Sequence, residues 1–91
     1  MDIGLRGKVV FVTGAGRGIG KDISLAFASE GAKVVATDLD AGNAENTAAQ
    51  AVALGAEAVG LGLDVTAFDA AQSAVAAAVQ KFGGIDVLVN C

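Results

Sequence analysis

The sequence predicts an α/β fold: a single domain, residues 1–91, in which a doubly wound parallel sheet of four strands is joined by three helices. Three observations predict it. Short, β-branched apolar runs alternate with longer segments of helical period, in the order β-α-β-α-β-α-β. Glycine occurs 13 times and stands at nearly every junction while proline is absent, so glycine turns the chain. The composition is 54% hydrophobic and 18% charged, with four aromatic residues, all Phe, and most of the apolar mass is Ala and Val.

The first element is Val9-Val10-Phe11-Val12, a continuous apolar run suited to a strand buried on both faces. Ile19, Ile23, Ala26 and Phe27 follow at helical spacing, a stripe that ends at Glu30-Gly31. Lys33–Asp38 reads as the second strand. From about Asp40 to Leu54 an Ala-rich helix presents Ala44, Ala48, Ala51 and Val52, with Asp40 as its cap and Gly55 closing it. Residues 58–63 form a third strand, weakened by Gly60 and Gly62. Thr66 and Asp69 have the spacing of a capping box and open a third helix with the stripe Val75, Val79 and Phe82, stopped by Gly83-Gly84. Ile85–Asn90 is the fourth strand. Right-handed crossovers make all four strands parallel, and the alanine stripes read as packing surfaces that let helices lie close on a sheet.

Charge and composition exclude several classes of function. The net charge is −4, and the six basic residues, Arg6, Lys8, Arg17, Lys21, Lys33 and Lys81, are scattered, so no nucleic-acid footprint or anionic-membrane patch forms. One Cys and no His argue against an internal disulfide and a zinc site, so no metal site is expected. The stretch Met1–Gly7 carries an early acid and no long apolar core, unlike a signal peptide. No apolar run approaches the roughly 18–20 residues that span a bilayer. A soluble, cytoplasmic protein is expected.

The chemistry centres on Thr13-Gly14-Ala15-Gly16-Arg17-Gly18-Ile19-Gly20, between the first strand and the first helix. Glycines there let backbone approach a pyrophosphate, and the helix behind them aims its N–H groups and positive dipole end at it. Spacing decides among phosphate loops. A P-loop ending at Gly20-Lys21 would need Gly at 15 and Ser or Thr at 22, where Ala15 and Asp22 stand. The G-x-G-x-x-G pattern fails as well, because Ile19 and Lys21 occupy its last position. What fits is T-G-x-x-x-G-x-G, with Thr13, Gly14, Gly18 and Gly20.

That spacing resembles the short-chain dehydrogenase/reductases, over all 91 residues but only the first part of a family member. The resemblance implies a Rossmann-type sheet of order 3-2-1-4, incomplete relative to the seven-stranded sheet of that family, and a dinucleotide site using Gly14, Gly16, Arg17, Gly18 and Ile19. Asp38, at the end of the second strand and 18 residues after Gly20, is placed to accept from both ribose hydroxyls of the adenosine half. Its charge repels a 2′-phosphate, and Leu39 offers no cation to replace that repulsion. Arg17 could reach a 2′-phosphate, but Asp38 decides, so the expected cofactor is NAD in preference to NADP. Leu63-Asp64-Val65-Thr66 resembles the family's adenine-binding pair, with Asp64 accepting from the amino group and the Val65 amide touching the ring. Asn90 matches the first position of the Asn-Asn-Ala-Gly motif, and Cys91 departs from the second.

Catalysis in that family rests on a Ser and a Tyr-x-x-x-Lys pair further along, and these 91 residues contain no Tyr. No catalytic residue is therefore expected in this chain: Ser24, Ser29 and Ser73 lie within helices, and Cys91 has no His to activate it. The reading is the cofactor-binding part of a longer enzyme, inactive alone. The parent would be an NAD(P)-dependent oxidoreductase of alcohols or ketones and, by family habit, a homo-oligomer. The alternative is a non-catalytic nucleotide-binding module or a structural fragment. The apolar outer edge of Val87-Leu88-Val89 would be left open.

Overall fold

A computed structural model describes residues 4–91. Met1–Ile3, on which the signal-peptide reading partly rests, lie outside the described residues. The elements follow the expected order: β1 (Val9–Thr13), α1 (Gly18–Ser29), β2 (Lys33–Asp38), α2 (Ala41–Ala53), β3 (Ala58–Gly62), α3 (Phe68–Phe82) and β4 (Val87–Asn90). The four strands form one parallel sheet in the order β3-β2-β1-β4, the predicted 3-2-1-4 arrangement.

β1 is central, and all five of its residues are buried. Alternation along the strand divides the core. Val10 and Val12 join Val34 and Ala36 of β2 against Ala28 of α1 and Ala51 of α2. Val9, Phe11 and Val35 face the other way, against Ala74 and Ala78 of α3 and Leu63. Complete burial of a β-branched side chain contributes about 1.5–3 kcal/mol, and the β1–β2 pair buries five valines.

The helices exist where the periodicity places them; α2 buries three of its four predicted stripe residues, Ala44, Ala48 and Ala51, whereas α1 and α3 are rotated from theirs. α1 buries Gly20, Ser24 and Ala28, whereas Ile19 is 74% exposed. α2 buries Ala44, Thr47, Ala48 and Ala51 and leaves Val52 outside. In α3, Ala74 and Ala78 are buried, while Val75 and Val79 are 43% and 45% exposed. The cause is steric. The sheet surface is already filled by valines, so each helix turns its smallest side chains inward and approaches closely.

Three local expectations also change. The capping box at Thr66 and Asp69 does not form, because Asp64 Oδ1 takes both the N–H and the hydroxyl of Thr66, and α3 starts after Ala67 without a side-chain cap. β4 begins at Val87, not Ile85; the carboxylate of Asp86 accepts the N–H of Val9 at 2.8 Å instead. β3 forms over Ala58–Gly62 with both glycines in it. A Cβ on Gly60 would stand 2.5 Å from the Ala44 carbonyl oxygen, so the bare backbone is what seats α2 on the strand. Leu88 on the outer edge of β4 is exposed, as expected for the apolar edge. No helix among the described residues is long and apolar enough to cross a membrane.

Candidate functional site

The turn from β1 to α1 begins with Gly14 at φ +63° and enters the helix through Gly18 at φ +60°, left-handed conformations that exclude most side chains. Gly20 lies against the Gly14 carbonyl so closely that a Cβ there would overlap backbone. The turn is pinned from behind. Ala15 donates its N–H to the Thr37 carbonyl at 2.8 Å, and the Ala15 carbonyl accepts the buried hydroxyl of Thr47 at 2.9 Å. The N–H of Gly16 reaches Asp38 Oδ2 at 2.9 Å.

Of the three helices described, only α1 has neither a side-chain cap nor an acidic residue in its first turn. Asp40 caps α2 by accepting from the Asn43 N–H, and Asp69 lies in the first turn of α3. The first N–H groups of a helix have no partner within it, and their dipole favours an anion. Among the described helices, α1 is therefore the one whose N-terminus has no counter-charge of its own, and beside it Arg17 is exposed in extended backbone.

At the same carboxyl edge of the sheet, Gly14, Asp38, Leu39, Asp64, Val65 and Asn90 line one cleft of about 340 Å³, together with Thr13, Leu63, Thr66 and Cys91. Six of the ten residues singled out in the sequence thus meet there. The other four, Gly16, Arg17, Gly18 and Ile19, lie on the turn and first turn of α1 beside it, with Gly16 tied to the cleft through Asp38. Leu39 is 78% exposed and Ile19 also stands outward, so neither packs in the core.

Two carboxylates define the polar walls. Asp38, half-buried at the end of β2, accepts from Gly16 N through Oδ2 and from Asp40 N through Oδ1, both at 2.9 Å. Asp64 is exposed, and its carboxyl is held below the ordinary carboxylate range, first by the Thr66 hydroxyl at 2.6 Å and second by the Thr66 N–H. Between the ends of β1 and β4, the Thr13 hydroxyl donates to Asn90 Oδ1 at 2.7 Å and accepts from Cys91 N at 3.2 Å.

Sequence reading missed Thr37 and Thr47 as supports of the turn. Their signal was a hydroxyl inside otherwise apolar strand and helix stripes, which a buried position tolerates only with a partner. Thr37 Oγ1 donates to the Val12 carbonyl at 2.8 Å, completing the brace. A larger hollow of about 830 Å³ runs along α3 past Phe68, Asp69, Gln72, Ser73 and Val75, all of them from that one helix. Among the described residues, no cluster of three or more His, Cys, Asp or Glu could hold a metal ion.

Comparisons with known proteins identify the family and the fold. The short chain dehydrogenase family model matches residues 8–91. Galactitol 2-dehydrogenase of Agrobacterium fabrum is 46% identical over 86 residues, covering 94% of this chain and 32% of that protein. The 3-oxoacyl-[acyl-carrier-protein] reductase of Thermotoga maritima is 44% identical over 86 residues, covering 94% of this chain and 35% of the reductase. Among solved structures, a 7α-hydroxysteroid dehydrogenase complexed with NADH and 7-oxo glycochenodeoxycholic acid superposes with a TM-score of 0.91 at 38% identity, over 94% of this chain and 34% of that one. The chain thus spans about a third of the length of the curated relatives it matches.

Proposed function

Because the chain belongs to the short-chain dehydrogenase family, we propose that residues 1–91 are the cofactor-binding unit of an oxidoreductase that prefers NAD to NADP. When bound, the nicotinamide exchanges a hydride with the carbon of an alcohol or ketone. The residues here bind and orient. The α1 terminus, with Gly14, Gly16, Gly18 and Ile19 around it, holds the pyrophosphate. Asp38 accepts from the adenosine ribose hydroxyls and repels a 2′-phosphate, beside the uncharged Leu39. Asp64 accepts from the adenine amino group and the Val65 amide borders the ring, while Asn90 lines the nicotinamide side. Arg17 lies near the phosphates without overriding Asp38.

The observation that carries this reading is one cleft at the carboxyl edge of the sheet, lined by Asp38 at the end of β2, Asp64 in the loop after β3, and Gly14 of the turn that leads into the uncapped α1. The family's proton donor is a Tyr, and these 91 residues contain none, so the reading assigns them binding and not proton transfer. The relatives act on a sugar alcohol, an acyl thioester and a steroid by name, so the substrate class stays at alcohol or ketone. The parent enzyme is proposed to be a cytoplasmic homo-oligomer, the single Cys suiting a reducing compartment.

Calorimetric titration of the chain with NADH and NADPH tests the reading, alongside an assay for NADH formation from secondary alcohols. The expected result is saturable NADH binding, NADPH weaker by about tenfold or more, and no turnover. Absence of saturable NADH binding contradicts the cofactor assignment, and turnover contradicts the binding-only role.

A further inference from the structure

We propose that Gly16 is a specificity-determining position, whose missing side chain keeps Asp38 in the orientation that selects a free ribose over a 2′-phosphorylated one. The inference rests on the cofactor reading above and concerns how this chain enforces it. Gly16 differs in kind from Gly14 and Gly18. Its φ does not lie in the left-handed region, so the backbone alone would accept alanine. Space is what forbids a side chain. A Cβ on Gly16 would stand 2.8 Å from Cγ and Oδ2 of Asp38 and 2.7 Å from Cβ of Asn43.

Those two neighbours would respond differently. Asn43 is fixed in the first turn of α2, and its Cβ moves only with the helix. The Asp38 carboxylate sits on a rotatable bond and would swing away, giving up the 2.9 Å bond from Gly16 N. In the structure that bond and the one from Asp40 N fix both oxygens and hence the carboxylate plane. A carboxylate oxygen accepts two hydrogen bonds, so each keeps acceptor capacity for a ribose hydroxyl. Gly16 therefore acts through Asp38 as a positioning residue. A displaced carboxylate loses the ribose bonds and also repels a 2′-phosphate less, so the preference falls from both sides.

The test compares NADH and NADPH affinities, by calorimetry, for the unmodified chain, Gly16→Ala, and Gly16→Ala combined with Asn43→Gly, which relieves the helix contact and leaves only the one with Asp38. Both variants should lose about tenfold in the NADH-to-NADPH affinity ratio, the worth of one charge-assisted hydrogen bond. Asn43→Gly alone should not change it. In an Asp38→Ser background, Gly16→Ala should leave the ratio where Asp38→Ser has already put it. Amide exchange at Gly16 in Asp38→Ser should be about tenfold faster than in the unmodified chain, a readout that does not depend on any Gly16 variant folding. An unchanged ratio in the double variant with NADH still bound, an equal loss with Ser at 38, or unchanged Gly16 exchange would each overturn the proposal. If the unmodified chain binds neither nucleotide, the cofactor reading itself fails and this inference falls with it.

Discussion

On one side of the sheet, α1 and α2 lie side by side and leave Val10, Val12, Val34 and Ala36 without solvent contact. On the other, α3 alone covers Val9, Phe11 and Val35, and its own Phe68, Val75 and Val79 face outward. The two sides have similar apolar content, yet only the first braces the candidate site. Thr47 and Asn43 of α2 border the glycine turn, Thr37 and Asp38 of β2 hydrogen-bond to it or to the strand that leads into it, and Gly20 of α1 lies under it. A ligand loop must be held against its own conformational entropy. Here the tightly packed side does the holding, and the α3 side contributes little beyond the walls of the cleft.

Substitutions can break that contrast, and the largest effect belongs to Gly20→Ala. Its Cβ would enter the Gly14 carbonyl, and neither backbone segment can yield without moving α1 off β1. A loss of about 3 kcal/mol or more in unfolding free energy by denaturant titration is expected. A loss below about 1 kcal/mol would mean that the turn is looser than its packing implies. The contrast is sharpened by one chemical change made on both sides. Val12→Ala, at a site with no exposure, should cost about 2 kcal/mol for two methyl groups and the cavity they leave. Val79→Ala, on the outer side of α3, should fall within about 0.5 kcal/mol of zero, alanine being the better helix former. Equal costs at the two positions would show that the outer face of α3 is covered and not open to solvent.

The sequence made β1, the element order and the parallel topology legible, because β-branched runs such as Val9–Val12 and glycine-marked junctions have few other readings. Helix rotation was hidden. Periodicity weights large apolar residues, so it selected Ile19, Val75 and Val79, whereas close packing on a valine-covered sheet favours Gly20, Ser24, Ala28, Ala74 and Ala78. The glycines of β3 looked like breakers for the same reason: what they accommodate, the backbone of α2 at Ala44, is distant in the chain. The candidate residues were singled out through motif spacing and family resemblance, and six of them line one cleft. Their supports, Thr37 and Thr47, carry no motif, only a hydroxyl inside apolar stripes, and its partners became identifiable when the fold set the hydroxyls against Val12 and Ala15. Asp64 was read as a site residue, but its capture of Thr66, which prevents the capping box, depends on loop geometry that spacing does not encode.

The central claim is that a dinucleotide occupies the carboxyl edge of the sheet, against the braced turn, and not the larger hollow along α3. Amide chemical-shift mapping of the ¹⁵N-labelled chain during NADH titration tests it directly. Saturable shifts are predicted at Gly14, Gly16, Ile19, Asp38, Asp64, Val65 and Asn90, with Gln72, Val75 and Val79 unmoved. Shifts confined to α3, or no saturable shift at the turn, would contradict the claim.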